Sequence, residues 1–424
     1  MKSFSIATAV SFFLLVFSSC TKTSPGTSQN TNTNTNTNTN TNTNTSSNTR
    51  DYNKPSHDLQ TTSVITDITT IRRMSTQKGG SEIAVCFPDL NGDGVDDIFV
   101  LPIYGANSTE RSSAEMYIST GPTYVANNSF MNTVATLIHA RKAIMGDYNK
   151  DGRADIFITG HGWDQPPYPG EYTALLLSQS GKYNLQEFKD KVGFYHGTCS
   201  GDIDNDGDLD IFVLGNTKSY FLINDGKGNF SYSTTQLDMT KLLSQYHCEL
   251  VDIDKDGFLD LIMGGHEYDV NDTSFKSGNT ASTRIYWGSN SGKYDINSIT
   301  NIPVVDNWGV VTDLDVADID GDGKNELVVT RTGGKASPSA VLYFYNGWYV
   351  QVVQLDSRKA TDATAKFISG NVSTAGYQTP NSWIQWLHFQ DYDKNGKIDL
   401  YTTQVFQNPV VRWEVENGKL VRRN

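Results

Sequence analysis

The sequence predicts an all-β protein assembled from repeated sheets, and three observations carry that prediction. A nine-residue acidic loop occurs six times in 424 residues, its copies starting 58, 55, 50, 66 and 73 residues apart. Each copy is followed by a β-branched or aromatic run too short for a helix: DIFVLPI, DIFITGH, DIFVLGN, DLIMGGH, ELVVTRT and DLYTTQV. Before the loops, apolar residues recur with a period of two, as at Val85 and Phe87, Ala143 and Met145, or Leu387 and Phe389. The pattern is therefore strand, loop, strand, and a repeat at this period describes the architecture of the whole chain.

The loops are DLNGDGVDD, DYNKDGRAD, DIDNDGDLD, DIDKDGFLD, DIDGDGKNE and DYDKNGKID. Position 1 is Asp89, Asp147, Asp202, Asp252, Asp318 or Asp391. Position 3 is Asn91, Asn149, Asp204, Asp254, Asp320 or Asp393, and position 5 is Asp93, Asp151, Asp206, Asp256, Asp322 or Asn395. Calcium takes six to eight oxygens, and a short loop supplies them when these three side chains point inward together. Position 6 is always Gly, which suits a sharp turn at positive φ. Position 7 varies freely (Val95, Arg153, Asp208, Phe258, Lys324, Lys397), as expected where only a backbone carbonyl is required. Position 9 is Asp97, Asp155, Asp210, Asp260, Glu326 or Asp399, a carboxylate placed to close the cage. The closing acid at 9 rather than 12, and the absence of helical flanks, separate this loop from an EF-hand.

Asp, Asn and Gly also favour plain turns. Six copies in register place 21 carboxylates at positions 1, 3, 5 and 9, and so many like charges without a counter-ion would be destabilising. The formal charge of −13 becomes about −1 with six divalent ions bound, so the acidity is that of metal sites rather than of a target for a basic partner.

These loops resemble the FG-GAP or VCBS repeats of integrin-α-like β-propellers, over residues 81–424. The resemblance implies one four-stranded blade per repeat, with the calcium loop between its first and second strands. In the third repeat the strands are HGTCSG, DIFVLGN, KSYFLIN and NFSYSTT; in the sixth they are WIQWLHFQ, DLYTTQV, VVRWEVENG and KLVRR. Six blades is the direct count. A seventh would have to come from residues 51–80 and 356–382, neither of which is long enough alone. Closure of the ring would remove exposed strand edges.

Residues 1–19 carry Lys2, an apolar stretch and Ser18–Ser19 ahead of Cys20, which is expected to be the lipid-modified first residue of a bacterial envelope lipoprotein. The apolar stretch is too short to span a bilayer comfortably. Residues 20–50 are nearly all Thr, Asn, Ser and Gly, a composition that buries no core and predicts a disordered tether. Residues 51–80 are transitional, and 61–71 (TTSVITDITTI) offers an extra strand that would latch the ring. Cys86, Cys199 and Cys248 are expected as free buried thiols. Cys199 and Cys248 fall three and four residues before their loops, which suggests that they face opposite ways.

If the acidic loops share one side of the disc, the loops joining second to third strands share the other. That second face would gather His161, Trp163, Tyr168, Tyr172, His266, Glu267, Tyr268 and Arg331, with the strand starts near Trp308 and Trp383. His161, Trp163, Tyr168, His266 and Tyr268 form the candidate ligand face, and their chemistry suits a glycan or a protein partner. Trp308, Trp383 and Trp386 taken singly are expected in the core. An enzymatic alternative, a polysaccharide lyase or hydrolase, would use His161, His266 and Glu267 as its acid/base group, and some calcium-dependent lyases resemble this architecture. No nucleophile elbow, zinc signature or phosphate loop accompanies them. Nucleic acid is not an expected partner, since the chain is acidic and lacks a basic stripe.

Overall fold

The computed structural model describes residues 50–59, 83–104, 108–121, 123–215, 218–239, 245–267, 282–306, 308–333, 347–369, 376–377, 383–390, 397–405 and 412–423. The leader with Cys20, the tether up to residue 49, the strand expected at 61–71, Tyr268, and Asp391, Asp393 and Asn395 of the sixth loop lie outside the described residues.

Among the described residues, six antiparallel sheets of four or five strands follow one another along the chain, their strands hydrogen-bonded in sequence order, and a two-stranded ribbon, Ser112–Ser113 with Thr136–Leu137, is added to them. Their first strands are Ile83–Cys86, Ala140–Gly146, Tyr195–Gly201, Gln245–Val251, Val310–Ala317 and Trp383–Gln390. Their second strands are Ile98–Pro102, Asp155–Gly160, Asp210–Gly215, Asp260–Gly265, Glu326–Thr332 and Asp399–Val405. Two further strands complete each meander, and the fifth sheet gains Gly376–Tyr377 on its third strand. Every described acidic loop joins a first strand to a second, as the repeat pattern predicts. The strands expected in the third and sixth repeats form as Tyr195–Gly201, Asp210–Gly215, Tyr220–Asn224 and Phe230–Ser233, and as Trp383–Gln390, Asp399–Val405, Arg412–Glu416 and Lys419–Arg423.

Burial explains the composition of each strand. The second strand of the third sheet, DIFVLG, is buried at every residue. A strand covered on both faces reads as a continuous apolar run rather than an alternation. The outermost strand Lys359–Asp362 is mostly exposed and polar. Successive first strands pack against one another in order around the molecule. Trp386 of the sixth sheet packs onto Phe87, Ile98, Val100 and Tyr117 of the first, so the array closes on itself as a β-propeller.

Five of the first strands carry a bulge at the same place. Register shifts fall between Ala140 and Lys142, Tyr195 and Gly197, Gln245 and His247, Val311 and Asp313, and Ile384 and Trp386. The extra residues are Arg141, His196, Tyr246, Thr312 and Gln385, near the strand ends remote from the acidic loops. A bulge bends its strand and re-aims the extra side chain.

The transitional segment does more than approach the ring. Its helix Ser56–Leu59 contacts the first strands of the second, third and fourth sheets, which places it on the axis. Ser200 N–H donates to Ser56 Oγ at 2.9 Å, and His57 Nε2 lies 2.5 Å from Asp315 Oδ1 on the fifth sheet. Arg50 holds Asp96 at 3.0 Å and the Phe87 carbonyl at 3.1 Å, while the Asp147 N–H donates to the Tyr52 carbonyl at 2.9 Å. Residues 50–59 thus enter on the side of the acidic loops and plug the axis.

Cys86, Cys199 and Cys248 are buried and free, but the expectation that Cys199 and Cys248 face apart is overturned. Their sulfurs lie 3.2 Å apart. Neighbouring blades meet through opposite faces of their sheets, so an offset of one residue in register brings the two side chains together instead of separating them.

Candidate metal centres and the opposite face

Five acidic loops are described, and all five share one hydrogen-bond scheme. The position-1 Asp accepts from the backbone N–H groups of positions 5 and 6: Asp93 and Gly94 on Asp89, Asp151 and Gly152 on Asp147, Asp206 and Gly207 on Asp202. Asp256 and Gly257 donate likewise to Asp252, and Asp322 and Gly323 to Asp318. The position-5 Asp then accepts from the position-7 N–H at 2.9–3.0 Å in every copy. The position-6 glycines sit at φ of 82° to 92°, as the turn requires. Position 4 is left-handed too, at Gly92, Lys150, Asn205, Lys255 and Gly321, a requirement not evident from the loop's spacing.

Position 9 carries structural hydrogen bonds as well as standing where a cage-closing ligand is expected. One oxygen accepts from the position-2 N–H, as Asp97 does from Leu90 at 2.8 Å and Asp155 from Tyr148 at 2.8 Å. The other accepts from the end of the third strand: Ser119 N–H on Asp97, Ser178 on Asp155, Asn224 on Asp210 and Gly288 on Asp260. This carboxylate therefore staples the loop into its own sheet. Burial pushes these groups up, Asp97 to about 6, Asp260 and Glu326 to about 7, and Asp155 and Asp210 to about 8. Asp210 Oδ2 and Glu326 Oε1 are buried with no hydrogen-bond partner.

Three loops bring three carboxylates within 4.8 Å of one another: Asp202, Asp204 and Asp206; Asp252, Asp254 and Asp260; Asp318, Asp320 and Glu326. Buried, orphaned anionic oxygens beside such clusters are the chemistry a hard divalent cation satisfies. These residues therefore fit a cation. The loops differ in what surrounds them. Arg358 reaches Asp254 at 2.6 Å and Asp256 at 2.7 Å, and Lys366 reaches Asp320 at 3.0 Å. Lys150 pairs with Asp208 at position 7. Among the described residues, no basic side chain pairs with Asp202, Asp204 or Asp206. Position-7 side chains point away: Val95 is exposed, and Arg153 donates to the Leu90 carbonyl of the neighbouring loop at 2.6 Å. Of the sixth loop, Lys397 and the buried Asp399 are described.

The opposite face is assembled from rings. His161 stacks on Phe194 with centroids 4.2 Å apart and on His196 at 4.6 Å, and lies 4.0 Å from His139. The arc continues from His196 to Tyr246 at 4.5 Å and from Tyr246 to His266 at 4.4 Å. Tyr168 stands exposed over Phe194, and the Trp163 indole N–H is buried without a partner. Five of the seven histidines thus gather near the strand starts, of which the sequence singled out His161 and His266. Arg141, His196 and Tyr246 are not evident in the sequence because the bulges that aim them leave no mark in composition, and His139 and His247 because they only flank those bulges.

Other expected members of this face are committed elsewhere. Glu267 and Arg331 are fully buried and paired at 2.6 Å, with Arg331 Nε donating to Gln351 Oε1 at 2.9 Å. The Glu267 carboxylate is therefore not assembled with His161 and His266 into an acid/base group. Tyr172 Oη accepts from Arg111 at 2.6 Å, and Trp308 packs on Tyr349. Burial, then the nearby positive charge of His139, Arg141 and Lys142, lowers His161, His196 and His247 well below the ordinary imidazole range.

The FG-GAP-like repeat family matches residues 89–158 and 202–263, so the chain carries FG-GAP-like repeats over its first four acidic loops. No curated protein matches the sequence. Among solved structures, the chain is similar to a lectin of Agrocybe aegerita described as recognising non-reducing terminal N-acetylglucosamine. The match has 15% identity and a TM-score of 0.47, covering 80% of this chain and 78% of the lectin. It is also similar to the biofilm matrix protein Bap1 of V. cholerae, at 15% identity and TM-score 0.39, covering 80% of this chain and 62% of Bap1. A third is the N-terminal domain of Nup159, at 8% identity and TM-score 0.37, covering 81% of this chain and 83% of that one.

Proposed function

We propose that this protein is a calcium-stapled binding or adhesion module of the bacterial cell envelope, anchored by lipid at Cys20, that engages a glycan or a protein through the face opposite its acidic loops. The observation that supports it is the segregation of chemistry. Metal-type carboxylates occupy one side of the disc, while imidazoles, phenols and an indole from separate sheets gather on the other. Calcium acts here as a structural ion, neutralising the loop carboxylates and fixing the turn between first and second strands of each blade.

The test is an array of envelope and matrix glycans, together with extracellular proteins, probed with the calcium-loaded chain. Retention of a ligand without chemical change is expected, and Trp163→Ala should weaken it. Release of unsaturated or reducing sugar ends would instead make the protein an enzyme. Cys20→Ser should shift the protein from the membrane fraction to the soluble one.

A further inference from the structure

The five aligned bulges do not decorate the rim at random. Arg141, His196, Tyr246 and Thr312 are the extra residues of four successive first strands, and all four line one depression at the axial mouth. His247, His266 and Trp383 complete its wall, and it is open to solvent with a volume of about 40 Å³, the size of a small group such as a carboxylate rather than of a whole sugar ring. A bulge breaks ladder pairing, so repeating it at one level in sheet after sheet is a cost that a purely structural ring would not need.

The character of this mouth runs against that of the chain. In a protein of net charge −13, the groups around it are Arg141 and the imidazoles of His139, His161, His196, His247 and His266. The nearby carboxylates are already engaged. Glu171 accepts from the N–H groups of Ile138 and His139 at 2.9 Å, and Glu267 is held by Arg331. Deeper on the axis, Glu249 pairs with Lys142 at 2.6 Å. Asp313 accepts from Leu387 N–H at 3.0 Å, with His247 at 3.9 Å. His196 Nε2 is shielded from solvent and has no hydrogen-bond partner. Tyr246 supplies a half-buried aromatic ring beside these polar groups, while the buried Trp383 backs the wall. Among the described residues, only the acidic loops bring three metal-binding atoms within 4.8 Å of one another, so the imidazole arc is not arranged around a metal.

We propose that this bulge-built mouth is the binding site for a carboxylate-bearing sugar, with Arg141 and the imidazoles receiving the carboxylate and Tyr246 lying against the ring. The inference rests on the reading of this face as a binding surface and names the ligand class it takes. A guanidinium with neighbouring imidazole donors matches a carboxylate, and aromatic faces match the apolar face of a pyranose. Burial and nearby positive groups hold His161, His196 and His247 neutral, so an arriving anion favours their protonation. Binding then takes up protons and tightens as pH falls.

The test uses calcium-saturated full-length protein, with its melt recorded at each pH. A glucuronate-containing tetrasaccharide, the same sugar as its methyl ester, and inorganic phosphate are titrated by calorimetry at pH 6 and pH 8. The acid form should bind about tenfold tighter at pH 6 than at pH 8, as uptake of one proton by an imidazole neutral in the free protein gives for each pH unit over which the complex holds it protonated. The ester and phosphate should bind at least tenfold more weakly than the acid. Arg141→Gln should weaken the acid form about tenfold, and His196→Gln should flatten the pH dependence. Should Arg141→Gln fail to fold, imidazole resonances of the wild-type protein must still move on addition of the acid sugar. An ester that binds as well as the acid, or affinity indifferent to pH, overturns this inference and leaves the binding module standing. Phosphate binding as tightly as the sugar reduces the mouth to a bare anion site and also overturns it. Failure of every glycan and protein on the array removes the module itself.

Discussion

The two faces of the disc are built by opposite means. On the loop face, nine consecutive residues carry a whole site: the position-1 Asp, the glycine at positive φ and the stapling acid at position 9 are fixed by spacing along the chain. On the other face no short segment carries anything complete. His161, His196, Tyr246 and His266 become neighbours only because two successive first strands are bulged at one level, at His196 and Tyr246, beside the ends of two second strands. A local site survives as a motif, whereas a convergent site exists only in the fold.

Chelation of divalent cations should separate the faces most sharply. Each site held at 1,000 times its Kd adds about 4 kcal/mol, so chelation should lower the melting temperature by roughly ten degrees or more. An identical melt in EDTA and in saturating Ca²⁺ would mean that the loops are stable as bare turns. Next in size, Arg331→Met strands the fully buried Glu267 charge and should cost about 3–5 kcal/mol in denaturant unfolding. A cost below 1 kcal/mol would show that Glu267 folds neutral, and would return it to the list of groups able to act on a ligand.

A smaller effect belongs to the plug. Burial disfavours the charged form of His57, but Asp315 and Asp58 outweigh it and hold the pKa at about 10, against 6.5 in a free chain. The folded state thus binds this proton more tightly. Its contribution is complete below pH 6.5, fades between 6.5 and about 10, and is absent above. The melting difference between wild type and His57→Gln should shrink over that window, and a constant difference would rule out the ion pair. Smallest of all, Tyr168→Ala removes an exposed ring and should change stability by no more than about 0.5 kcal/mol while weakening ligand retention. A large loss of stability would assign Tyr168 to packing instead.

The repeat unit, its strand order and the placement of every described loop were legible because Asp, Gly and β-branched residues report local conformation. Position 9 was only half legible. Its acid is evident, but its second oxygen bonds to the third strand some fourteen to twenty-eight residues onward, as with Asn224 on Asp210 and Gly288 on Asp260. The Cys199–Cys248 contact was misjudged because strand parity was compared as though both residues lay in one sheet, while the blades meet through opposite faces. Glu267 and Arg331 looked like surface polar groups, since nothing in their neighbourhood along the chain announces that they pair across 64 residues.

The axial segment 50–59 has a consequence for how the wheel comes apart. Arg50 is pinned to Asp96, Tyr52 to the first and second acidic loops, Ser56 to Ser200 of the third sheet and His57 to Asp315 of the fifth. One short stretch thus serves as a hub in a ring whose blades otherwise touch mainly their neighbours, and pulling it out should loosen distant spokes together rather than one at a time.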